Sequence, residues 1–405
     1  MSEVDSLVVS FIANVNINDD KTNEIAFELT NLIKDKKCKL IQIIVSLKDR
    51  FISEDEKERV KALKCLSSVL CNLETDQLLK NDVSVIFNFY MSKITDSALM
   101  LECFMGLNAL MSMKYITIDE ATKLLQFLQK VYQSKDYLAA IRNYPFQILL
   151  NIYNRWLTQL EDNKNFTNLF IQTYISVASG EKDPRNLLIS FQLNKLIVTT
   201  FKVESFQFSQ ALFDILFSYF PITFKPPKDD PYKISNSDLK LALRAAISAS
   251  DIFAQDAFSN LIDKLGATSP AIKNDTLLTL LACINKFGGK ACIEFWLPMW
   301  TALKFEIMHG GDSSETYLDP LAENKSDDLI TEGTNTQVPN LQSNYQLSLD
   351  ILRALAYQLV ELDEAAFNKY VTHILDELKP NFEFTKDLRQ SCNALAAIGS
   401  ANLIT

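Results

Sequence analysis

Glycine is scarce in this chain. It occupies 9 of 405 positions, about 2% where roughly 7% is ordinary. A glycine inside a helix costs about 1 kcal/mol relative to alanine, so a chain that avoids it suits helices with few tight turns. Histidine is scarcer, with two in all: His309 before Gly310-Gly311, and His373 in FNKYVTHILDEL. A histidine base needs a nucleophile and an orienting partner nearby. Neither has one in sequence, so they read as a turn residue and a helix-face residue. The seven cysteines lack the closely spaced C-x-x-C runs of an iron–sulfur site, and an odd number without framework spacing fits a reducing compartment. Cys65 and Cys71 are six residues apart, about 120° around a helix. Cys283 and Cys292 flank the Gly288-Gly289 break, and all of these read as buried free thiols. No metal or cofactor is expected.

Other absences narrow the class further. No G-x-G-x-x-G or Walker A sequence occurs, so a phosphate cradle is excluded. The apolar runs, such as LLTLLACI from Leu277, are far shorter than the roughly 20 residues that span a bilayer. The opening MSEVDSLVVSFIANVN has neither a basic region nor a small-residue cleavage site, and an intracellular, soluble protein is expected. The net charge of −10 argues against a nucleic-acid surface, and KDKKCK at 34–39 is too short to reverse that. No enzyme emerges.

What is present is a recurring helical grammar. A capping residue is followed by polar residues and then an apolar stripe, from Ser53, Asp96, Asp183, Ser235, Ser269 and Thr385. In SEDEKERVKALKCLSSVL, Val60, Leu63, Leu66, Val69 and Leu70 share one helix face. Ser53 with Glu56, and Thr117 with Glu120, have capping-box spacing. Asp183-Pro184 and Ser269-Pro270 place proline at the first helical position. Gly180, Gly266, Gly288 and Gly399 each follow an apolar run, where a left-handed terminator is wanted. Ser53 to Asp96 is 43 residues, a less regular start near Tyr137 is 41 further, and Asp183 is 46 beyond. A unit of about 40–47 residues made of paired helices is the HEAT or armadillo pattern. The expected fold is therefore all-α, a HEAT-repeat α-solenoid. At 405 residues the chain exceeds the roughly 250–300 at which a single core stops growing, which an elongated repeat avoids.

Two stretches break the pattern. FPITFKPPKDDPYKIS, residues 220–235, holds four of the eleven prolines. Its Phe220, Ile222, Phe224 and Tyr232 are apolar anchors for an ordered connection. Residues 309–344 carry seven acids and one lysine, a composition that reads as a flexible loop. The expected organisation is amino-terminal repeats over 1–219, the connection at 220–235, central repeats over 236–308, the acidic loop at 309–344, and further repeats over 345–405.

Four stretches carry a family likeness: GEKDPRNLLISFQLNK from Gly180, YFPITFKPPKDDPYKISNSDLKLALRAAI from Tyr219, SPAIKNDTLLTLLACINKFGG from Ser269 and LDELKPNF from Leu375. They resemble the amino-terminal part of the MMS-nineteen family, the HEAT-repeat subunit of the cytosolic iron–sulfur assembly targeting complex, in its budding-yeast wording. The resemblance implies an adaptor that joins a WD-repeat propeller protein and a small partner. Together they deliver clusters to apo-enzymes, among them DNA helicases, polymerases and primase, in cytoplasm and nucleus. It implies an adaptor without a resident cluster, and the apolar runs and net charge add the expectation of no membrane and no direct nucleic-acid partner. It also places stable partner contacts in carboxy-terminal repeats, so this chain reads as an amino-terminal portion. Phe220, Phe224, Lys225, Tyr232, Lys240 and Arg244 are the candidate partner-binding residues. The proline-rich segment has two open roles, register of the repeats or direct client contact. A general HEAT scaffold for nuclear transport or for transcription and chromatin regulation is the alternative.

Overall fold

The computed structural model describes residues 2–203, 205–226, 232–309, 343–383 and 387–401. They form helices α1 (Glu3–Asn14), α2 (Asp19–Lys34), α3 (Leu40–Phe51), α4 (Glu56–Asn72), α5 (Lys80–Lys93), α6 (Met100–Met111) and α7 (Ile118–Lys130). After these come α8 (Ala139–Arg155), α9 (Leu157–Asp162), α10 (Lys164–Ala178), α11 (Pro184–Thr200), α12 (Phe206–Phe217), α13 (Asn236–Ile247) and α14 (Ala254–Lys264). The last are α15 (Pro270–Phe287), α16 (Gly289–Cys292), α17 (Trp296–His309), α18 (Asn344–Leu362), α19 (Glu364–Leu378) and α20 (Leu388–Gly399). Among the described residues there is no strand. No described helix is long and apolar enough to cross a membrane. The chain divides into two compact units, 1–193 and 194–405. The division falls inside α11, ahead of the proline-rich segment.

The first unit is built in two layers. Helices α2, α4, α6 and α8 pack each on the next, forming one layer. The other holds α1 against α3, α5 against α7, and α7 against α10. Pairs cross between layers, α1 on α2, α3 on α4 and α5 on α6, and their short connections make each pair antiparallel. The second unit repeats the arrangement. There α13, α15, α18 and α20 pack in succession, while α12, α14 and α17 form the opposing row. Each unit is thus an α-solenoid of paired helices, the expected class.

The repeat period is written in side-chain bonds between successive units. The Gln129 amide donates to Gln172 at 2.8 Å, Asn151 to Asn108 at 2.9 Å and Asn143 to Asn186 at 2.7 Å, each pair 43 residues apart. Within α4 the stripe behaves as its spacing requires: Leu63, Leu66, Val69 and Leu70 are buried, while Val60 is half-buried at the helix start.

Local chemistry sets several helix ends. Thr117 and Glu120 form the expected box, with the Glu120 N–H donating to the Thr117 hydroxyl at 3.3 Å and the Thr117 N–H to the Glu120 carboxylate at 2.8 Å. Pro184 and Pro270 open α11 and α15. Ser53 does not cap α4. Asp55 takes that position, accepting from the Lys57 N–H at 2.9 Å, and the Ser53 hydroxyl accepts from the Asp55 N–H instead. A carboxylate two residues before the donor displaces the box. Of the four glycines expected to be left-handed, Gly180 (φ 76°) and Gly288 (φ 80°) are. Gly266 and Gly399 are not, and Gly399 is itself the last helical residue of α20. The expected repeat start at Thr385 and almost all of the acidic stretch, residues 310–342, lie outside the described residues.

Candidate functional site

The GEKDPRN stretch proves to be a structural hub. Gly180 turns the chain out of α10 and brings Glu181 inward, where it is 2% exposed. A buried carboxylate must be fully hydrogen-bonded to persist, and this one is. Arg142 donates to it from Nε (3.0 Å) and from a terminal nitrogen (2.6 Å), the Lys182 and Asp183 N–H groups at 2.7 and 2.9 Å, and the Asn186 amide at 3.0 Å. Burial pushes the Glu181 carboxyl up, but the Arg142 bond, the two backbone donors and Asn186 outweigh it and hold the group below the usual carboxylate range. Asp183 then accepts from the Arg185 N–H at 3.0 Å and pairs with the Arg185 guanidinium at 2.9 Å, fixing the start of α11.

Asn186 also ends a series of amides. Asn151 of α8 donates to Asn108 of α6, which donates to Gln147 of α8 at 3.1 Å. Gln147 donates to Asn143, and Asn143 to Asn186. Asn108, Gln147, Asn143 and Asn151 are half-buried and Asn186 is buried, so the series crosses the outer side of the α6–α8 layer. Nothing in the sequence marked these residues out beyond a recurrence at 43 residues.

The proline-rich segment divides by residue. Phe220 is buried and stacks on Phe217 (5.4 Å), which stacks on Phe213 (5.2 Å), next to Phe253. Ile222 is buried too, and Phe224 is half-buried, with its carbonyl accepting from the Asn236 amide at 2.7 Å. Lys225 is exposed. Tyr232 was expected to anchor the segment, yet it is 57% exposed. It sits just before Lys233, whose φ of 51° turns the chain into the α13 cap at Ser235, and the turn leaves the ring facing solvent. Lys240 is half-buried on α13. One turn on, Arg244 pairs with the buried Asp275 of α15 at 2.8 Å, so its guanidinium joins two repeats. The six candidate residues therefore do not form one patch: Phe220 and Arg244 face inward.

The two histidines make structural contacts. His309 stacks on Phe305 (4.4 Å), and its Nδ1 lies 3.0 Å from the Phe305 carbonyl. His373 packs on Trp296, with Nε2 3.2 Å from Glu377. Glu377 accepts from Trp300 Nε1 and Lys304 Nζ, both at 2.9 Å, tying α19 to α17. Five cysteines are buried, but Cys71 and Cys392 are exposed, against expectation. Burial pushes the Cys65 and Cys292 thiols up to about 12, far from a reactive thiolate. Among the described residues no three histidine, cysteine or acidic side chains converge as a metal site requires.

Residues 44–309, from within α3 to the end of α17, match the MMS19_N family model, described as Dos2-interacting transcription regulator of RNA-Pol-II. The chain belongs to this family. The Saccharomyces cerevisiae member, a DNA repair/transcription protein of the MMS19 name, is 50% identical over 99% of this chain and 38% of its own length. The Schizosaccharomyces pombe DNA repair/transcription protein mms19 is 28% identical over 76% of this chain and 30% of its own. The human MMS19 nucleotide excision repair protein homolog is 29% identical over 68% of this chain and 26% of its own. The chain thus spans well under half the length of these MMS19 relatives. Among solved structures, the karyopherin Kap121p bound to the SUMO protease Ulp1p aligns over 98% of this chain and 41% of its own, at 11% identity and a TM-score of 0.46. That likeness is too distant to carry an argument.

Proposed function

We propose that this chain is the client-recognising part of a non-enzymatic adaptor that directs iron–sulfur clusters to apo-enzymes of DNA repair and replication. The observation that carries the reading is the 50% identity, over 99% of the chain, to a DNA repair/transcription protein. The architecture supports it. Stacked helix pairs offer long surfaces for protein contact rather than a deep reaction pocket. Five of the seven cysteines are buried in the helix packing, and His373 packs on Trp296. An adaptor must release its clients, so contacts on half-exposed side chains of modest affinity suit the task.

On this reading the chain works in cytoplasm and nucleus and takes apo-helicases, polymerases and primase as clients. The WD-repeat propeller and its small partner are held mainly by repeats outside this chain. The test is to mix the purified chain with an apo-helicase in one experiment, and with the propeller and its small partner in another. Binding is then measured by interferometry and by size-exclusion chromatography. Weak, reversible client binding and no stable complex with the assembly pair are expected. A full-length relative that fails to bind any iron–sulfur apo-enzyme refutes the adaptor reading. The family description as a transcription regulator favours a second reading, a scaffold for transcription complexes. Quantitative co-purification separates the two, with polymerase-associated factors rather than iron–sulfur enzymes enriched in the second case.

A further inference from the structure

Seven arginines among the described residues are half-buried. Six of them, Arg50, Arg59, Arg142, Arg185, Arg244 and Arg353, have a carboxylate of this chain within 3.2 Å. The seventh is Arg155, the last residue of α8, and it makes no ion pair with the described residues. Burial pushes its guanidinium down with no neighbouring carboxylate to oppose it, whereas Arg142, held on Glu181, is pushed up. A charge drawn partly out of water without a counter-charge costs stability. The last turn of a helix favours a cation by about 0.3–1 kcal/mol, but a fully exposed lysine supplies that as well.

The Arg155 guanidinium is held on two sides. A terminal nitrogen donates to the Lys114 carbonyl at 2.7 Å, and the group lies over the Trp156 ring, 5.2 Å from its centre. Lys114 belongs to the turn between α6 and α7, and its ammonium lies 5.6 Å from the centre of the exposed Tyr115 ring. It too makes no ion pair with the described residues. Two cations, each on an aromatic ring, are thus tied by one hydrogen bond in a chain whose net charge is −10. A guanidinium carries five N–H donors in a rigid fork that matches a carboxylate. Only one is spent on Lys114, so one two-donor edge stays intact.

We propose that Arg155, with Lys114 beside it, binds the carboxylate of an aspartate or glutamate side chain on a client protein. The client acid supplies the counter-charge that the other six arginines find within this chain. The surroundings favour a single carboxylate over a polyanion. Thr75, whose carbonyl accepts the Lys114 N–H at 2.7 Å, stands between Glu74 and Asp76, and their charges repel a run of phosphates. The exposed Tyr115 and Leu157 border the pair and suit an apolar neighbour of the client acid. A contact of this kind is screened by salt and readily released. The proposal rests on the adaptor reading and names one place where a client is held.

The test uses the whole 405-residue chain and short synthetic peptides tiling an apo-helicase. Each peptide is also made with its aspartates and glutamates replaced by asparagine and glutamine. Fluorescence anisotropy reads affinity, and a photo-reactive form of the tightest peptide, cross-linked to the unaltered chain, reads position. Acidic peptides are expected to bind and their neutral forms to fail, with cross-links at the ends of α6 and α8. Arg155→Gln should weaken the acidic peptides about tenfold or more while leaving the melting temperature unchanged or higher. Arg155→Lys keeps the charge without the fork and should recover only part of the affinity. A lower melting temperature for Arg155→Gln with unchanged peptide affinity assigns the residue to packing and overturns the proposal. If that variant does not fold, the cross-link on the unaltered chain decides. Cross-links elsewhere, equal binding of the neutral peptides, or tighter binding of forms carrying phosphoserine in place of the acid also overturn it. Failure of all peptides while the intact apo-helicase still binds refutes the site and leaves the adaptor standing. Failure of peptides and intact apo-helicase alike overturns both.

Discussion

The Tyr90 hydroxyl lies 2.7 Å from the Ser67 hydroxyl, which in turn donates to the Glu102 carbonyl at 2.7 Å. These two buried residues join α5 to α4 and α6 in one chain of bonds, and the arrangement depends on a third position. Gly106 of α6 faces the Tyr90 ring so closely that a Cβ there overlaps it.

Gly106→Ala should therefore destabilise the first unit, although alanine is the better helix former. Overpacking a filled site costs about 1–3 kcal/mol, against a propensity gain near 1 kcal/mol, and the displaced Tyr90 also loses Ser67. Gly399→Ala is the control, because nothing stands within 4 Å of its added Cβ. Urea unfolding of both variants should show a lower midpoint for the first and an unchanged or higher one for the second.

Glu181 gives a signed pH dependence. Its carboxyl is held below the usual range when folded, so its stabilisation is present above the unfolded value near 4.5 and is lost as pH falls through the lower folded value. Glu181→Gln leaves Arg142 without its charge partner and should cost about 3 kcal/mol at neutral pH. The difference between the two proteins should shrink on acidification. Thermal melts of both at a series of pH values check this, and a gap constant down to strongly acid pH refutes it.

Phe220 and Tyr232, taken from the same proline-rich segment, should behave differently. Phe220→Ala empties a place in the stack with Phe217 and should cost about 3–5 kcal/mol. Tyr232→Ala removes a ring that is 57% exposed and should change stability by about 0.5 kcal/mol. If Tyr232→Ala together with Lys225→Ala lowers apo-helicase binding at unchanged melting temperature, the segment has a recognition role.

Arg244→Ala should lower stability, because it strands the buried Asp275 without a counter-charge, typically a loss of about 3 kcal/mol or more. Arg244→Ala with Asp275→Ala should recover part of that, and a double-mutant cycle by urea unfolding measures the coupling. Charge reversal at Arg244 consequently reads packing. Reversal at the exposed Lys225 is the cleaner probe of binding.

What the sequence determined by itself was short-range. The stripe of α4, the Thr117–Glu120 box and the prolines opening α11 and α15 depend on partners within about four residues, so their spacing alone specifies them. The repeat length was legible for the same reason, as a recurrence of these local signals. Even locally, competition was hidden: Asp55 and Ser53 both offered a cap to α4, and the backbone path chose Asp55. Tertiary structure decided everything that crosses a repeat. The Arg142–Glu181 pair is 39 residues apart and Arg244–Asp275 is 31, separations at which no helical period predicts which side chains meet. Stacking fixes that, through the rotation of each helix against the next. The connection between α12 and α13 took Phe220 onto Phe217 and, at the Lys233 turn, left Tyr232 exposed, while the packing of α6 on α8 turned Asn108 toward Gln147.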